Sequence, residues 1–129
     1  MATRSRIGIV QKDRTIKSIY CHWDGYPSYN GKILLNYYSR KELVEELIEL
    51  NDISSLGYTT IDTNSYWKWR QEVALARVDK NKTEYKKRFG DCWEEYLYLF
   101  DNGKWYVYNK YEYKKWTPLE DIPECKEEE

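Results

Sequence analysis

Histidine is almost missing from this sequence: His22 is the only one in 129 residues. A metal site would therefore have at most one imidazole, with carboxylates or thiolates making up the rest. Cysteine is scarce too. Cys21, Cys92 and Cys125 are odd in number, far apart and without a CxxC pair, which speaks against a disulfide framework and a structural zinc site. Neither sign of charge dominates: 21 Lys and Arg face 22 Asp and Glu, so no global field steers the chain onto nucleic acid or a membrane surface. No run approaches the roughly 18 apolar residues of a membrane span, and Met1 to Arg6 carries no apolar signal core. A soluble cytoplasmic protein with no membrane partner is expected. The phosphate-cradling patterns GxxxxGK[ST] and GxGxxG are absent, so any phosphate contact would fall to side chains or an irregular backbone nest. No cofactor or metal is implied.

What the sequence has in quantity is aromatic rings, 17% of residues, chiefly 14 tyrosines and six tryptophans. Such rings combine large apolar area with a polar handle and suit cores and binding surfaces alike. The length fits one domain, read as residues 1–123, with an acidic tail over 124–129.

Arg6 to Val10 reads as a short strand, 11–14 as a polar turn and Thr15 to Trp23 as a second strand, together a hairpin. Alternation puts Lys17, Ile19, Cys21 and Trp23 on one face, the more apolar, and Ser18, Tyr20, His22 and Asp24 on the other. Adjacent Cys21 and His22 would then point apart and could not act as nucleophile and base. Residues 25–31 are turn-rich, and Lys32 to Tyr38 leans helical. Ser39 and Glu42 have capping-box spacing ahead of a helical stripe of Leu43, Val44, Leu47 and Ile48, with Asn51 as the stop. Residues 51–63 read mostly as loop. Residues 64–90 carry eight Lys/Arg against three acids, with interleaved aromatic rings, and read as a long excursion, weakly helical over Gln71 to Ala76.

Near the C-terminus, Asn102-Gly103 is a strong signal for a type I′ turn. It pairs Phe100 with Trp105, Leu99 with Tyr106 and Tyr98 with Val107. One hairpin face is then Tyr98, Phe100, Trp105 and Val107; the other is Leu97, Leu99, Tyr106 and Tyr108. Both are apolar, whereas a sheet with one wet side alternates with polar residues. Either the chain's own segments cover both faces, or one face meets a partner or a second copy. The fold class expected is α+β: an antiparallel sheet from N- and C-terminal hairpins with one or two helices packed on it.

Thr3 to Ile9, Ser18 to Pro27, Gly31 to Leu35, Asp52 to Leu56, Glu95 to Phe100 and Trp116 to Glu120 together resemble a family of small non-structural proteins from tailed bacteriophages and prophages. Where that family usually has glycine, in the first turn and before Asp52, this chain has Arg14 and Asn51. The resemblance implies a setting in the host bacterial cytoplasm and assigns no catalytic residue. Small phage accessory proteins often bind host machinery or block antiviral defence, an association of company rather than of site chemistry.

Four candidate sites follow. His22 and Asp24, two apart on one strand face, would serve a small hydrolase or half a metal site, but a solvent-facing histidine beside a turn is the commoner case. The loop with Trp23, Tyr26 and Tyr29 would stack on a base, with Arg4, Arg6 or Lys32 meeting phosphate, or its rings pack on the first hairpin. Trp67, Trp69 and Arg70, in the basic segment, resemble a nucleic-acid surface or a solvated excursion. Tyr106 and Tyr108 mark the hairpin face as an interface. The leading expectation is a non-enzymatic phage accessory protein that binds and inhibits a host protein, an antiviral defence component. Nucleotide or nucleic-acid binding is the alternative.

Overall fold

In the computed structural model, which describes residues 2–65 and 75–126, β1 (Ser5–Val10) and β2 (Ile16–Cys21) pair antiparallel, Ile7 opposite Ile19. Arg14 closes the intervening turn at φ 72°. A π-helical turn, Pro27–Gly31, leads directly into α1 (Lys32–Tyr37), and α2 follows at Lys41–Glu49. Val44, Leu47 and Ile48 of α2 are buried at helical spacing. The capping box does not form. Arg40, in extended conformation, precedes the helix with no side-chain cap, so Ser39 lies one residue too early. Asn51 ends the segment at φ 64°, a left-handed stop that Asn tolerates.

The span 51–63, read as loop, holds β3 (Ile53–Ser55), and β4 (Asn64–Ser65) opens the segment read as an excursion. Part of the supposed excursion is regular: β5 (Arg77–Asp79) and α3 (Lys82–Lys87), capped by Asn81, whose side chain accepts from the Glu84 amide. Then come β6 (Tyr96–Asp101), β7 (Lys104–Tyr108) and the short β8 (Thr117–Pro118).

Among the described residues these strands form one eight-stranded sheet in the order β4-β3-β2-β1-β6-β7-β8, with β5 also on β2. The class is α+β, but the sheet is mixed rather than antiparallel throughout. β1 runs parallel to β6, and β2 parallel to β3. β6 and β7 pair antiparallel, Phe100 opposite Trp105 and Tyr98 opposite Val107.

Both faces of the sheet are covered by the chain itself. α1 and α2 supply Ile33, Leu34, Val44, Leu47 and Ile48 to a core with Ile7, Ile19, Cys21, Tyr98, Phe100 and Trp105. On the opposite face Tyr85 of α3 joins Ile16, Leu97, Leu99 and Tyr108, with Phe89 and Trp116 packed alongside. That second cover explains why both faces of β6–β7 are apolar. The chain stays packed beyond residue 123: Cys125 is fully buried and its thiol donates to the Pro27 carbonyl at 3.1 Å.

Candidate functional site

The backbone from His22 to Gly31 is pinned from several directions. The amides of His22 and Trp23 donate to the Ile53 and Ser54 carbonyls, extending the β2–β3 pairing past the strand end. Gly25 N–H donates to the Thr3 carbonyl at 2.8 Å, and the buried Tyr98 hydroxyl donates to the Gly25 carbonyl at 2.6 Å. A Cβ on Gly25 would lie 2.8 Å from both the Ser5 Cβ and the Thr3 oxygen, so only glycine fits there. Asn30, fully buried, directs its amide at the Trp23 carbonyl, the Ser5 hydroxyl and the Cys21 sulfur. Asp24, at φ 57°, turns the chain.

This frame presents rings to solvent. Trp23, Tyr26 and Tyr29 are 45%, 37% and 41% exposed, and the two tyrosine rings meet edge-on at 6.3 Å. Trp23 is thus not inside with Cys21. β2 ends at Cys21, and strand alternation ends with it. The Trp23 ring stands edge-on to His22 at 4.7 Å. Lys32 opens α1 just behind the loop.

The chemistry of the polar groups is local. His22 Nδ1 lies 2.8 Å from the Tyr20 hydroxyl, while Asp24 Oδ1 accepts from the Tyr26 hydroxyl at 3.2 Å. That bond to Asp24 raises the Tyr26 pKa, because it holds the phenol proton. The two members of the supposed acid–base pair thus engage different tyrosines. Cys21 is fully buried, and desolvation pushes its thiol up to about 11. At neutral pH it is a core thiol, not a nucleophile.

The remaining candidates fare differently. Tyr108 is 7% exposed, with Phe89 and Trp116 against its ring and the Lys86 ammonium 4.7 Å from its centroid. It is not a docking residue; its neighbour Tyr106 is half-buried. Trp67, Trp69 and Arg70 lie outside the described residues. Arg6 is buried, with Nε and Nη2 on the Ser18 hydroxyl and carbonyl and Nη1 facing the Cys92 sulfur, so it cannot meet a ligand phosphate at the surface. Within the basic segment, Arg77 and Arg88 both bind the buried Asp79 carboxylate, so part of that charge is balanced internally. Sequence reasoning missed Asn30, whose Asn-Gly context pointed only to a turn, and Tyr98 as the anchor of Gly25.

Among the described residues no group of three or more His, Cys, Asp or Glu is placed to hold a metal ion, and no helix is long and apolar enough to cross a membrane. No protein-family model, curated protein or solved structure matches the chain.

Proposed function

We propose that the chain is a phage accessory protein that binds a host protein by contact and inhibits it, with the 23–29 loop as its recognition surface. The observation that carries this reading is the pairing of three solvent-exposed rings with a backbone fixed by buried hydrogen bonds. Rigid aromatic side chains lose little conformational freedom on binding and dominate interface hot spots. The phage setting and the host defence target rest on the sequence resemblance alone.

The test is affinity capture of the tagged protein from infected cells, followed by native mass spectrometry. The wild type should carry a stoichiometric protein partner that the Trp23→Ala/Tyr26→Ala/Tyr29→Ala variant loses at unchanged melting temperature. A partner retained by that variant, or a Trp93→Ala/Tyr111→Ala control that loses it equally, would refute the loop as the contact surface.

A further inference from the structure

At the end of the sheet remote from the aromatic loop, the β1–β2 and β6–β7 turns and the start of α2 line an open cavity of about 590 Å³. Its size lies within the range of small-molecule sites. Ile9 and Phe100 give it apolar surface, and Lys12, Arg14 and Lys41 give it positive charge. Asp101 is the one acid among the described residues lining it, and that carboxylate is taken by Lys82, with Arg14 a further 3.9 Å contact. Lys12 and Lys41 enter none of the ion pairs among the described residues. An adjoining cavity of about 420 Å³ shares both lysines. Of its acids, Glu49 binds Lys17 at 3.5 Å, Asp13 accepts from Thr15, and Glu45 stands one helical turn along α2 from Lys41 without an ion-pair contact to it.

We infer that this cavity is a binding site for a small phosphorylated molecule, held by Lys12, Lys41 and Arg14. On a chain with net charge −1, the one acid lining the larger cavity, Asp101, is paired within the protein, while Lys12 and Lys41 line it outside any ion pair among the described residues. Phosphate is the group that ammonium and guanidinium donors recognise with charge-assisted hydrogen bonds. The first turn of α2 begins without a side-chain cap, with Glu42 its one acid, and the positive end of the helix dipole lies on the side of Lys41. The non-phosphate part of the ligand would lie against Ile9 and Phe100. The site is separate from the aromatic loop and stands or falls independently of it.

Isothermal titration calorimetry with ATP and with inorganic tripolyphosphate tests the inference. Wild type should bind one or both at about 1 mM or tighter at physiological salt. Lys12→Gln/Lys41→Gln should weaken binding by about tenfold or more, since it removes two charge-assisted contacts. Both lysines are exposed and unpaired, so the variant should fold, with circular dichroism as the check. Lys114→Gln/Lys115→Gln removes the same charge elsewhere and should bind like wild type. Absence of binding by wild type to either probe overturns the inference. So does equal weakening in the two double variants, which would mark a diffuse charge effect.

Discussion

Gly25→Ala should be among the most damaging single-methyl insertions in this chain. The new Cβ would meet the Ser5 Cβ and Thr3 oxygen at 2.8 Å and the Arg4 carbonyl carbon at 3.0 Å; two of these three atoms are backbone and cannot rotate away. Forcing a methyl into such a contact costs about 1–3 kcal/mol. The required shift also pulls Gly25 N–H from Thr3 and its carbonyl from Tyr98, each bond worth about 1 kcal/mol. A total of about 3–5 kcal/mol follows, read as a drop of about 1 M or more in the urea midpoint at unchanged slope. Tyr98→Phe isolates the second component: a buried carbonyl left without its donor costs about 1–3 kcal/mol. Because the two substitutions break one shared bond, their combined cost should fall short of the sum. A Gly25→Ala midpoint within about 0.3 M of wild type would refute the claim that this close approach fixes the loop.

Three further outcomes are expected. Arg14→Gly should stabilise the protein by about 0.5–1 kcal/mol in urea titration, because Arg14 sits at φ 72° and its 3.9 Å contact to Asp101 is solvent-screened; an equal or lower midpoint would contradict this. Iodoacetamide at pH 8 should label Cys92 and spare buried Cys21 and Cys125 until urea is added, as peptide mapping will show. Burial pushes those two thiols up to about 11 and about 12 from an ordinary 9.0. A raised folded pKa gives stability that is complete below about pH 9 and lost as pH climbs through about 11, so midpoints at pH 8 and 10.5 should differ in that sense, and by less in Cys21→Ala.

Local features of the sequence determined a definite part of this protein. Asn102 and Gly103, at φ 51° and 82°, set the β6–β7 register, because few other residue pairs accept that turn. The Val44, Leu47 and Ile48 spacing specified a helix, and alternation along β2 turned Cys21 inward. The Asn81 cap was equally local but lay in a segment whose charge masked it. Tertiary structure decided the rest. That β1 lies parallel to β6, and that β3 and β5 share one edge of β2, depends on pairings between segments far apart in the chain. That arrangement, with α3 laid over its second face, turned Tyr108 from an apparent surface into core and buried Arg6 against Ser18 and Cys92. It also brought Lys12, Arg14 and Lys41 to one cavity beside Phe100. No local pattern encodes such a meeting, because it follows from how the whole chain buries its apolar surface.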